Sequence, residues 1–170
     1  MGEKSKTDLL EFAFASAEAE YKDLSETWKL IDTKAQATTA IAGVFLAAVF
    51  NFVRPPGVSL AAPLTFLLGL SVGALVVSVL FALLAMRVRS VPALPASEEA
   101  ARMVTDLLAM PEAELEARHR GLLADTVNVW LPVNRQLQAA NATKASWLER
   151  AQWCLMGAAI LVAIVTISVL

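Results

Sequence analysis

The side chains with most scope for chemistry lie in short clusters between long apolar stretches. Arg118, His119 and Arg120 are consecutive, and such a trio suits a phosphate through charge-assisted hydrogen bonds, or else forms a solvated face opposite Glu112, Glu114 and Glu116. Trp130 offers a ring on which a base stacks, or one that fills a core or lies near a membrane. Asp32 borders an apolar stretch, where a carboxylate is costly unless a cation or the headgroup region receives it. Lys29 at i−3 is its local partner, and Lys144 and Arg150 are the distant ones. Asp32, Lys34 and Lys144 are thus expected to form a charge set at the membrane boundary. One cysteine and one histidine cannot assemble a four-ligand zinc site, and Cys154 has no intramolecular disulfide partner. No phosphate-binding glycine loop, dinucleotide turn, GxSxG or HExxH occurs. The expectation is a non-enzyme with no catalytic residue, metal or cofactor, and the net charge of −2 argues against nucleic acid as a partner.

The elements that must position these residues follow from where charge is absent. Of 170 residues, 57% are hydrophobic and the mean hydropathy is +0.59, too apolar for an ordinary soluble globule. Residues 35–53, 55–86 and 151–170 contain no Asp, Glu, Lys or Arg. Each is long enough for the roughly 20 residues that cross a bilayer core. Pro55, Pro56 and Gly57 break a helix, so the expected spans are 35–53, 63–86 and 151–170, with 1–34 and 87–150 cytosolic. The fold class is an all-α membrane protein with long amphipathic cytosolic extensions. Lys22, Lys29 and Lys34 precede the first span, Arg87 and Arg89 follow the second, and Lys144 and Arg150 precede the third, against Arg54 alone in the hairpin. The positive-inside rule places the N-terminus in the cytosol and the C-terminus outside. Glu3, Asp8 and Glu11 argue against a cleaved signal peptide, and Lys6 against myristoylation.

Leu10, Phe14, Ala17, Tyr21, Leu24, Trp28, Ile31 and Ala35 recur at spacings of four and three. This heptad gives one seam on a helix from about Asp8 to Val53 and calls for a partner helix. In the second cytosolic segment Ser97 is a candidate N-cap before an apolar stripe of Ala101, Val104, Leu107 and Leu108, and Pro111 begins a new helix with Leu115, Leu122 and Val129 on its buried face. Pro132 marks a further break. Val133, Leu137, Ala140, Leu148 and Ala151 then lead into the last span and supply the partner for the first seam.

A long helix ending in Ile31-Asp32-x-Lys34-Ala35 and entering the first span resembles the transmembrane effectors of Pycsar antiphage systems. Asn134, Leu137, Lys144, Ala145 and Leu148 resemble that family's Asn-x-x-Leu stretch and the lysine before its last span. The SLATT group of effectors shares parts of this layout. The resemblance implies a bacterial inner-membrane protein that stays inactive until a partner cyclase makes a cyclic pyrimidine nucleotide, cUMP or cCMP, whereupon it impairs the bilayer and stops growth as abortive infection. Nothing in the sequence reads as a cyclic-nucleotide fold, so the nucleotide binds the helical part, with Arg118, His119, Arg120 and Trp130 as candidates, or is sensed by another protein. Three spans do not enclose an aqueous pore, so a homo-oligomer is expected. An oligomeric membrane scaffold or regulatory subunit is the rival class, and a membrane enzyme is disfavoured because Asp32 and its cations are the sole convergent titratable groups.

Overall fold

A computed structural model describes residues 3–53, 61–87, 102, 105–106 and 111–169. Helix α1 spans Glu3–Val53, α2 Ala62–Met86 and α3 Glu112–Val169, and there is no strand among the described residues. The expected Ser97 cap, its apolar stripe and the hairpin at Arg54 lie outside the described residues. Pro63 stands in the first turn of α2, where its missing N–H costs nothing, and the Ala61 carbonyl accepts from the Leu64 and Thr65 amides at 2.9 and 3.1 Å. The Pro111 carbonyl does the same for Glu114 and Leu115 at the start of α3.

Pro132 does not break the chain. It lies inside α3, which continues for 58 residues. An interior proline forfeits the bond to the carbonyl four residues back and costs about 3 kcal/mol. Here Asn128 and Pro132 are both exposed, so water can satisfy the freed carbonyl, while Trp130 and Asn134 on either side are held by contacts to α1. The expected buried face of Leu115, Leu122 and Val129 is also corrected. Leu115 and Val129 are exposed and Leu122 is half-buried, because the seam runs one residue later, through Trp130, Val133, Asn134 and Leu137.

The helices supply two compact units, Met1–Thr27 with Arg89–Ala140, and Trp28–Val88 with Asn141–Leu170. In the first, Trp130 meets Phe14 and Tyr21 edge-to-face, with ring centroids 6.0 and 5.2 Å apart. Asn134 is buried beside them, and its Nδ2 donates to the Ala17 carbonyl at 2.9 Å and to Glu20 Oε2 at 3.1 Å. Its Oδ1 is buried with no partner among the described residues. The N-terminal seam is thus matched within the chain by α3.

In the second unit three helices pack in layers. Ile31 and Ala35 meet Ala82, Ala85, Leu148 and Ala151; Ala42 meets Leu75 and Ala158; Val49 meets Leu68 and Val165. The order of these numbers makes α1 and α3 parallel and α2 antiparallel to both. Each helix buries residues three and four apart, the knobs-into-holes spacing of a left-handed bundle. Alanine and serine occupy many interior positions beside Ile31, Val49, Leu68, Leu75, Leu148 and Val165, whereas Phe50, Phe66, Leu70, Leu80, Ile160, Ile164 and Ile167 are exposed. Small residues between helices with bulky apolar side chains outside are what hydrocarbon solvent favours.

The hydroxyl of Ser78, fully buried, donates across helices to the Ala151 carbonyl at 2.7 Å, whereas Ser71 bonds within its own helix to Leu68 at 2.7 Å. Ser78→Ala is therefore expected to lower detergent-solubilised stability by about 0.6 kcal/mol, and Ser71→Ala by less. Thermal unfolding of the two variants checks this; equal midpoints would remove the interhelical bond as a source of stability.

Candidate functional site

Trp28 and Asp32 are one turn apart on α1 and share a face. Lys144 reaches that face from α3. Its Nζ lies 2.5 Å from Asp32 Oδ1 and 3.6 Å from the centroid of the Trp28 ring. Within the second unit this is a closed ammonium site, carboxylate on one side and indole face on another, the combination that best offsets desolvation of a cation. The burial is lopsided: the Lys144 side chain keeps 3% of its exposure and that of Asp32 keeps 31%. Lys144 is the sole buried charged residue among those described.

Of the partners the sequence offers Asp32, Lys29 nearby and Lys144 or Arg150 from the other long helix, the structure pairs it with Lys144. Lys29 is exposed, and the acid pairs with a residue 112 positions away. The physical reason is burial: Lys29 can be hydrated, but Lys144 lies on the buried seam of α3 between Leu137 and Leu148 and needs a counter-ion there. Lys34 is exposed and outside the pair, its carbonyl accepting from the Thr38 hydroxyl at 2.9 Å. Arg150 also points elsewhere, its guanidinium 4.7 Å from the Trp147 ring, which packs against Phe81 at 5.5 Å. Of the expected charge set, Asp32 and Lys144 are brought together and Lys34 is not.

The weaker candidates lie in the first unit. Arg118 is exposed and His119 and Arg120 are half-buried. Trp130 is ten residues beyond Arg120 on the same helix, about 15 Å of rise, and its ring is engaged by Phe14 and Tyr21. Reasoning from sequence passed over Trp28 and Asn134 as site residues. Both fall on the heptad seams; a polar residue at a seam position, as at Asn134, Asn141 and Lys144, is a signal that finds Asn134, whereas Trp28 reads as an ordinary seam aromatic.

Three helices long and apolar enough to cross a membrane, with bulky apolar side chains exposed on their outer faces, define a helical membrane protein. The chain matches the family model described as Pycsar effector protein domain over residues 16–170. It belongs to this family of antiphage effectors, which implies a cyclase partner and membrane association, and fits a non-enzymatic role. No curated protein and no solved structure matches the chain.

Proposed function

We propose that this chain is a nucleotide-gated effector of the bacterial inner membrane. A partner cyclase makes cUMP or cCMP during infection, and the effector, as a homo-oligomer, then breaches the bilayer and halts growth. The observation that carries this reading is the family match over residues 16–170 on a chain whose helices expose bulky apolar side chains. The spans are residues 35–53, 63–86 and 151–170, with the N-terminus cytosolic and the C-terminus outside, as the lysine and arginine asymmetry favours.

A nonselective breach suits the lining better than a selective channel. Thr38, Ser71 and Ser78 are buried with their hydroxyls on backbone carbonyls, and no charged residue lies within the spans to mark an ion pathway. Those hydroxyls face the interior of one protomer, so a passage lined by them requires the helices of a protomer to part. Thr39, half-buried, has its hydroxyl on the Ala35 carbonyl at 3.0 Å, whereas Gln36 is exposed and open to contacts between copies.

For assembly, Gly69 and Gly73 stand one turn apart on α2, and a Cβ added at either meets nothing within 4 Å. This spacing on an open face permits close helix contact between copies. Gly73→Leu should leave the protomer folded and reduce the assembled mass on native electrophoresis in mild detergent; unchanged mass would remove this face from the contact.

The test of the functional reading is a potential-sensitive dye in cells carrying the chain with an active or a catalytically dead pyrimidine cyclase. Depolarisation and growth arrest with the active enzyme alone are expected. Equal signal from both would sink nucleotide gating and favour a scaffold.

A further inference from the structure

We infer that Lys144 is an anion-exchange site: a singly charged phosphodiester displaces Asp32 from the Lys144 ammonium and takes its place. For a nucleotide as the source of that phosphodiester, the inference rests on the proposed function; the same chemistry is carried by the headgroup of phosphatidylglycerol.

Three observations carry it. Lys144 is 2% exposed, so loss of its anion with nothing in exchange leaves a desolvated charge. Replacement of one monoanion by another avoids that penalty and is the cheap way to free α1 from α3 at this point. The lopsided burial sets the direction of exchange. Asp32, with 31% of its side chain exposed against 3% for Lys144, is the member that an incoming anion can meet and that water can receive. The local field also favours anions. Lys29 and Lys34 are exposed and flank Asp32 in sequence on α1, so this stretch of the helix carries two cations to one acid. The ammonium carries three donors, of which Asp32 Oδ1 takes one. Because the ammonium itself is buried and the carboxylate partly exposed, the phosphate oxygen bonds as Asp32 swings out to water. Phosphodiester and carboxylate compete for Lys144, and the affinity for the ligand is lowered by the work of expelling Asp32.

Competition predicts an effect of unusual sign. The full chain in phosphatidylcholine vesicles is titrated with cUMP, cCMP and, as a phosphate-free control, uridine; phosphatidylglycerol retained by the purified chain is measured by native mass spectrometry. Asp32→Asn, which keeps an oxygen beside Lys144, should bind the phosphodiester about tenfold or more tightly than the wild type. Lys144→Gln should not bind it. The double swap of Asp32→Lys with Lys144→Asp restores an ion pair and controls for folding; it should match the wild type in helical circular dichroism and still not bind. If only phosphatidylglycerol follows this pattern, the exchanging anion is the lipid headgroup. Equal affinity of wild type and Asp32→Asn for both ligands, retained binding by Lys144→Gln, or uridine bound as well as cUMP would each overturn the exchange. Depolarisation under an active cyclase would in that event still uphold nucleotide gating, with its sensor elsewhere.

Discussion

Asp32→Ala is expected to destabilise the helical bundle by about 3 kcal/mol, the lower end of the range for stripping a buried charge of its partner. The lower end applies because the carboxylate itself is partly exposed. The cost arises at Lys144, whose ammonium would remain buried against Trp28 with no anion. The reciprocal variant should be milder: Lys144→Met fills a similar volume without charge and leaves Asp32 able to turn to water. Glu18→Ala removes a carboxylate from an exposed position on α1 and should shift stability by only a few tenths of a kcal/mol. Thermal unfolding of the three variants in one detergent gives the order. Equal effects of Asp32→Ala and Glu18→Ala would reduce Asp32 to a surface charge.

Trp130→Ala should have a comparable effect through packing. The ring makes edge-to-face contacts with both Phe14 and Tyr21, each worth about 0.5–1.5 kcal/mol beyond area burial. Truncation also leaves a void in the two-helix contact. Because Trp130 is half-buried, about 3 kcal/mol is expected, the low end for large aromatic truncations. Limited proteolysis should then cut the first unit faster than in the wild type. Trp153, 63% exposed, provides the control, since Trp153→Ala removes little packing. Equal protection of the two variants would show that the aromatic contact does not hold the first unit.

Periodicity located the α1 seam as far as Ala35, where polar residues still contrast with apolar ones. Beyond it the seam continues through Thr38, Ala42 and Val49. Hydropathy loses sight of it there, because every face of a span is apolar and the remaining signal is size. Ala42 and Ala158 point inward while Phe50 and Ile160 point outward, a distinction that a hydrophobicity pattern does not record. Pro132 was misleading for a different reason: the local rule against interior proline was outweighed by contacts at Trp130 and Asn134, which join α3 to a helix more than a hundred residues earlier. The partner of Asp32 followed the same logic. The sequence offers both Lys29 and Lys144, and the fold decides for Lys144 because it is buried in front of the carboxylate. The family resemblance rested on Ile31, Asp32, Lys34 and Ala35 and on the stretch from Asn134 to Leu148, so the motif held both members of the pair without showing that they touch.

Under the proposed function, a cyclic pyrimidine nucleotide turns this chain into a breach of the bilayer. The most direct measurement uses purified protein in vesicles loaded with a self-quenched dye, with no cyclase or other protein present. Addition of cUMP or cCMP should release the dye, and Lys144→Gln should stay silent under both. Dye retained with every nucleotide by correctly folded wild-type protein would contradict direct nucleotide gating of the membrane by this chain.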